Sequence, residues 1–228
     1  MKILESALRQ GRKTLSESES KSILKSYGLP VTREREVTGH EGVIAAVREI
    51  GFPLAMKACG HALIHKTEKD LVRLDIRSEA EALDAFSALC RGTQAAGATV
   101  LVQEMIKGQR ELVAGFIRDA QFGPCVMFGL GGIFTEIFKD VSFRTVPLTP
   151  ADAKDMVHEI KAAPVLGAVR GMPPVDADQL AEILVTLGKI GLENERIQEI
   201  DINPLIVSGS RVVAVDALIV LIGNGGKE

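Results

Sequence analysis

Residues 111–118, 124–129 and 133–138 are three apolar runs joined by short turns, with no room between them for crossover helices. Strands linked that tightly run antiparallel to their neighbours. The chain before them is written differently. Ser16 with Glu19, Thr38 with Glu41 and Ser78 with Glu81 each carry the spacing of a capping box, which marks a helix start. The first helix is predicted over 17–27, with Ile23, Leu24 and Tyr27 buried and Gly28 supplying a left-handed exit. The second ends at Ile50 before Gly51, and the third carries Ala82, Leu83, Phe86 and Leu89 at helical spacing. Strands are predicted over 31–35, 54–58, 71–76 and 100–105. Helices and strands thus alternate up to residue 105, which predicts an α/β lobe.

After the three linked strands come two more helices. One is capped by Thr149 with Pro150 at its first position; the other spans about 176–192. A closing hairpin is expected over 197–207 and 211–221. The expected domains are an N-terminal helix with an α/β lobe (1–105), an α+β lobe (106–222) and a polar tail (223–228). Two lobes with a cleft between them commonly hold a small molecule.

Charge narrows what that molecule is. Lys plus Arg number 27 against 30 for Asp plus Glu, a net charge of -3. There is no basic surplus to neutralise a run of phosphates, so nucleic acid is not the expected partner. A polyanion here must be held by a few local cations, by backbone amides or by a metal. The three cysteines, Cys59, Cys90 and Cys125, form no CxxC pair, which argues against a zinc site or a disulfide framework and fits a reducing cytoplasm. The opening Met1-Lys2-Ile3-Leu4-Glu5 is already charged, unlike a signal peptide. The longest apolar run, 212–222, is interrupted by Asp216 and falls short of the roughly 20 residues that span a bilayer. The expectation is a cytoplasmic protein with no membrane partner.

The closing hairpin holds the most informative side chains. Asp201 and Asn203 are two apart, so on a strand they face the same way, with Ile200 and Ile202 facing a core. If Gly209-Ser210 is a two-residue turn, Ser208 pairs with Arg211, and counting outward sets Asn203 opposite Asp216. Three oxygen-bearing side chains then converge, which suits a hard cation such as Mg²⁺. A three-residue turn would set Asp216 opposite Ile202 and break the cluster. The bland alternative, solvated surface carboxylates, sits poorly with Asp216 inside Val-Val-Ala-Val-Asp-Ala-Leu-Ile-Val.

Other candidates are less specific. Lys57 ends the apolar run Phe52-Pro53-Leu54-Ala55-Met56, where its ammonium either snorkels to solvent or aims at a phosphate. His65 lies in a polar loop and could serve as nucleophile or base, or simply be solvated. Gly129-Leu130-Gly131-Gly132 lets backbone amides approach a ligand but lacks P-loop spacing. Arg144 could stabilise a transferring phosphoryl group or sit at the surface. Glu104 and Glu111 could accept hydrogen bonds from a ribose, or sit in water.

An ordered set of short motifs covers nearly the whole chain. It runs through Leu15-Ser16-Glu17, Tyr27-Gly28-Leu29-Pro30-Val31, Gly51-Phe52-Pro53 leading to Lys57, and Ile64-His65-Lys66-Thr67. It continues with Val102-Gln103-Glu104-Met105, Phe122-Gly123-Pro124, Gly129-Leu130-Gly131-Gly132-Ile133, Lys139-Asp140-Val141-Ser142-Phe143-Arg144 and Pro147-Leu148. Arg170-Gly171, Asp201-Ile202-Asn203-Pro204-Leu205 and Asp216-Ala217 complete it. The set resembles the ATP-grasp subunit of ADP-forming acyl-CoA synthetases (acid–CoA ligases) and, more distantly, the β subunit of succinyl-CoA synthetase.

The resemblance implies an ATP-grasp fold with the nucleotide in a cleft between two lobes, and ATP (or ADP) with Mg²⁺ as cofactors. It implies Lys57 on the phosphates, Gln103, Glu104, Met105 and Ile106 beside the adenine and ribose, and Asn203 and Asp216 as metal ligands. Asp201 would add a direct or outer carboxylate, Arg144 would face the phosphates, and His65 would accept the phosphoryl group. It further implies a CoA-binding, acyl-transferring α subunit as partner. Two positions depart from the family pattern. Lys69-Asp70-Leu71 replaces a Gly-Gly pair, and Leu218 stands where an arginine is usual. They motivate a second expectation, a nucleotide-binding regulatory or structural subunit without turnover. A third, a ligase joining a carboxylate to an amine, is opposed by the His-Lys motif.

Overall fold

A computed structural model describes residues 1–59, 71–93, 99–132 and 140–223. The chain forms two compact units: Thr32–Ile106, and Met1–Val31 together with the chain from Lys107 onward.

The smaller unit holds strands β1 (Glu34–Val37), β2 (Leu54–Cys59), β3 (Val72–Ile76) and β4 (Thr99–Glu104), with helices α3 (His40–Ile50) and α4 (Glu79–Thr93). The strand order is β1-β4-β2-β3, and every neighbouring pair is antiparallel. Alternation along the chain therefore does not give parallel neighbours. Each helical crossover skips one strand: β1 and β2 run parallel with β4 between them, and β3 and β4 flank β2 in the same way. This is a split β-α-β arrangement. Leu54, Met56, Ala58, Val100 and Val102 face Val43, Val47 and Ile50 of α3 and Phe86 and Leu89 of α4 in one apolar core.

The expected cap at Thr38 is not used. Gly39 is the N-cap, and its carbonyl accepts from Val43 N, so α3 begins one residue later than a Thr38–Glu41 box requires.

The larger unit holds α1 (Lys2–Arg9), α2 (Glu17–Ser26), α5 (Pro150–Glu159) and α6 (Ala177–Glu193). Its strands are β5 (Arg110–Asp119), β6 (Gly123–Leu130), β7 (Val141–Thr145), β8 (Ile197–Ser208), β9 (Arg211–Ala214) and β10 (Leu218–Leu221). They form one antiparallel sheet in the order β10-β8-β5-β6-β7, with β9 beside the far end of β8. The expected box at Ser16–Glu19 forms, and Thr149, expected as a cap, also closes a box with Asp152. The predicted strand 133–138 lies outside the described residues, and β7 is the strand seen next along the chain.

Residues 1–31 belong with the larger sheet, not with residues 32–106 as the expected lobe boundary had it. The cause is backbone pairing. Leu15 N donates to Ile219 O at 3.0 Å, Leu221 N to Lys13 O at 2.7 Å, and Ala214 N to Pro30 O at 2.9 Å. Between those anchors α2 buries Ile23 and Leu24 in the larger core. In the same core α6 comes so close to β5 that a Cβ on Gly191 would sit 2.2 Å from the Phe116 ring. Among the described residues no helix is long and apolar enough to cross a membrane.

Candidate functional site

The turn at Gly209-Ser210 has two residues: Ser208 pairs with Arg211, Val207 with Val212 and Leu205 with Ala214. Beyond a short break the same count resumes, with Asp201 opposite Leu218 and Ile200 opposite Ile219. Val215 N donates to Pro204 O at 3.0 Å inside the break. One continuous register thus runs through it, and Asn203 stands opposite Asp216.

The faces follow from burial. Ile202, Leu205, Ala214 and Ala217 all point into the core. Both strands therefore take two consecutive outward residues, Asn203-Pro204 on one and Val215-Asp216 on the other. On β8 this is a bulge against β5, where the register shifts between Leu112 and Ala114. A bulge is where a proline without an N–H is tolerated, and it re-aims the neighbouring side chain.

The outward face reads as rows across the strands. Phe143, Met127, Gly115, Asp201 and Leu218 form one row, and Cys125, Ile117, Glu199 and Val220 form the next. Gly129, Val113, Asn203 and Asp216 lie on the other side of the first, and Glu111 one step further along β5. Glu199, Asp201, Asn203, Asp216 and Glu111 consequently share one face, opposite the helices. Glu199 was not singled out in the sequence, although its position two residues before Asp201 is the same period-two signal.

The electrostatics agree with this crowding. Burial pushes the Asp201 carboxyl up to about 6, helped by the negative charges of Glu199 and Asp216. Among the described residues no three His, Cys, Asp or Glu side chains converge closely enough to hold a metal by themselves. The donor set is two carboxylates and an amide, all oxygen, and it fits a hard ion that keeps water and phosphate oxygens in its shell.

Glu111 borders a hollow of about 760 Å³ lined also by Leu130, Gly131, Gly132, Asp140 and Lys161. Gly131 N donates to Glu111 O at 2.8 Å, and the Glu111 carboxylate lies against Gly132, where a Cβ would sit 3.1 Å from Oε2. A side chain at Gly132 would crowd that carboxylate, and one at Gly131 would meet the main chain of Glu111 and Leu112.

Arg144 is not brought to this cluster. It pairs with Val126, a core residue, so its Cβ leaves the sheet on the helix side. Its guanidinium binds Glu159 of α5 and the carbonyl of Phe143. β7 lies three strand spacings, about 14 Å, from β8.

In the smaller unit Lys57 and Gln103 share the sheet face that the helices leave uncovered, and they are 6% and 1% exposed. Glu104 ends β4 with its carboxylate accepting from Arg33 N and Nε, each at 2.8 Å. Met105 N donates to Pro53 O at 3.0 Å, and Ile106, half-buried, is the last residue of the unit. His65 lies outside the described residues.

The profile of the ATP-grasp domain matches residues 6–221. This chain belongs to the ATP-grasp family. One ATP-grasp relative, the β subunit of acetate–CoA ligase [ADP-forming] I from Pyrococcus furiosus, is 42% identical over 224 residues, 96% of each chain. Two solved structures of the Candidatus Korarchaeum cryptofilum dinucleotide-forming acetyl-coenzyme A synthetase 1 are also similar, each covering 97% of this chain and 99% of theirs at 42% identity. One, with coenzyme A and Ca-AMPCP, gives a TM-score of 0.93. The other gives 0.87; it holds coenzyme A and Mg-AMPPCP, with a phosphohistidine segment pointing towards the nucleotide binding site.

Proposed function

We propose that this chain is the ATP-grasp β subunit of an ADP-forming acid–CoA ligase, using ATP with Mg²⁺ and working with a CoA-binding, acyl-transferring α subunit in the cytoplasm. The observation that carries the reading is the unbroken register that sets Asn203 opposite Asp216, with Asp201 beside them. Full-length similarity to a protein named as such a β subunit supports it.

In this reading Asn203 and Asp216 hold the cation, with Asp201 beside it, and the cation neutralises phosphate charge. Lys57 adds a nearly buried ammonium, which gains most from a phosphate because it has little water. Gln103, Glu104, Met105 and Ile106 flank the base and ribose. A His65 ring nitrogen attacks the γ-phosphorus, the bond to the bridging oxygen breaks, and ADP leaves. Such transfer depends on positioning and charge stabilisation more than on covalent help from the protein. Arg144 is engaged by Glu159 and receives no phosphate in this scheme.

The test is to mix the chain with its partner and γ-labelled ATP. Acid-labile label on this chain is expected, lost in His65→Ala. Label retained in full by His65→Ala would remove His65 from the pathway.

A second reading, nucleotide binding without turnover, is favoured by one observation: Leu218 faces Asp201 directly, where the family pattern expects a cation. Calorimetric binding of Mg·ATP with neither hydrolysis nor label, partner present, would decide for it.

A further inference from the structure

Helix α2 begins Glu17-Ser18-Glu19-Ser20-Lys21, and its capping box uses Ser16 and Glu19. Glu17 and Lys21, one turn apart, are 5% and 1% exposed, with Lys21 Nζ 3.0 Å from Glu17 Oε1. Two charges this deeply buried are costly unless each is held by the other and by further hydrogen bonds. Lys21 Nζ also donates to the carbonyl of Val215 at 3.0 Å, from 194 residues away in sequence. Val215 immediately precedes Asp216.

The neighbours on α2 grip the same span. Ser20 Oγ accepts from Ile219 N at 3.2 Å, and Pro30 O, just after the helix, accepts from Ala214 N at 2.9 Å. Residues 215–217 are where β9 has ended and β10 has not begun. The regular ladder is interrupted there, and α2 supplies the missing restraint.

We infer that Lys21, with Glu17 as its counter-ion, is a positioning residue for the Asp216 carboxylate. By fixing the carbonyl before Asp216 it sets the direction in which that side chain leaves the strand, towards Asn203. An apolar pair of similar volume would serve packing as well or better. What the ammonium adds is a directed bond to a main-chain oxygen beside a ligand. Groups one shell out from a metal ligand set its orientation and hence the metal affinity. The inference rests on the reading of Asn203 and Asp216 as the cation's ligands.

Glu17→Met combined with Lys21→Met removes both members of the buried pair at once. Ser20→Ala is a milder cut in the same clamp. The full-length chain, wild type and variants, is checked for folding by circular dichroism. It is then titrated with a non-hydrolysable ATP analogue over a range of Mg²⁺ concentrations, and again in EDTA. The double variant is expected to need about tenfold more Mg²⁺ for half-saturation, the lower end of the range for losing such a partner. Ser20→Ala is expected to need about threefold more, the scale of one weakened hydrogen bond. Affinity for the metal-free analogue stays as in the wild type.

A pair that served stability alone would lower the melting temperature and leave the Mg²⁺ requirement untouched. Either folded variant with a wild-type Mg²⁺ requirement overturns the inference. Asp216→Asn separates this from failure of the site itself. If Asp216→Asn keeps the wild-type requirement, the ligand assignment has failed. If it loses the requirement while the double variant keeps it, only the role of Lys21 has.

Discussion

Replacing Asp201 by asparagine should stabilise the metal-free chain at neutral pH and leave it nearly unchanged near pH 4. In the folded chain the carboxyl titrates at about 6, against an ordinary 3.8. As pH rises between those two values the unfolded chain releases the proton and the folded chain keeps it. Stability is therefore present below 3.8 and lost as pH climbs through about 6. At about 1.4 kcal/mol per pH unit, the gap of roughly two units is worth about 3 kcal/mol. Carboxylates held low, such as Glu19 beside Arg12 and Asp152 at its cap, act in the opposite sense, so the absolute pH profile mixes both.

The difference between wild type and Asp201→Asn isolates the one group. Urea unfolding in EDTA, at half-unit steps from pH 4 to 8, should show that difference growing to about 3 kcal/mol by pH 7 and then levelling. Glu199→Gln should shrink it without abolishing it, because burial is the largest cause and Glu199 the next. A difference that stays flat over the whole range would show that Asp201 is not buried against like charges, and the crowded acidic face would fall with it.

Three further outcomes are expected. Gly191→Ala puts a methyl group 2.2 Å from the nearly fully buried Phe116 ring and should cost about 1–3 kcal/mol in chemical unfolding. Arg110, 5% exposed, donates to the carbonyls of Val165, Leu166, Gly167, Pro173 and Gly209. Arg110→Met should cost about 3 kcal/mol or more by stranding those acceptors, and Arg110→Lys should recover less than half of that, since an ammonium cannot span the same set. Arg144→Ala breaks a half-exposed pair with Glu159, so unfolding free energy should fall by about 1 kcal/mol at most, with Mg·nucleotide affinity measured by calorimetry unchanged.

Local spacing made the hairpin legible. A glycine opening a two-residue turn fixes which residues face each other, and from Ser208–Arg211 the count reaches Asn203 and Asp216 without further information. The capping box at Ser16 and the cap at Thr149 were legible for the same reason, since each motif lies within four residues. Contacts made across the chain were not. Residues 1–31 read as the start of the first lobe because nothing in their spacing reports that Leu15 pairs with Ile219. Helix α1 carries no side-chain cap to announce it. The face from which Arg144 leaves was not legible, because β7 was not recognised as a strand and its register fixes the direction of the guanidinium.

The bulge and the acidic face are one device. A strand that alternated strictly through Asn203-Pro204 would send either Ile202 or Leu205 out of the core, and a one-residue slip would bury the carboxylates. Doubling the outward step on both strands at the same level keeps four apolar side chains inside and still sets two oxygen donors face to face. The cost is a break in the ladder and a carboxyl that does not readily ionise. A bound divalent ion would repay the second, because it competes with the proton for Asp201 and its neighbours. Mg²⁺ with the non-hydrolysable analogue should therefore raise the melting temperature more at pH 7.5 than at pH 5.5. Equal increments at both pH values would mean that the ion, if it binds, does not sit among these carboxylates.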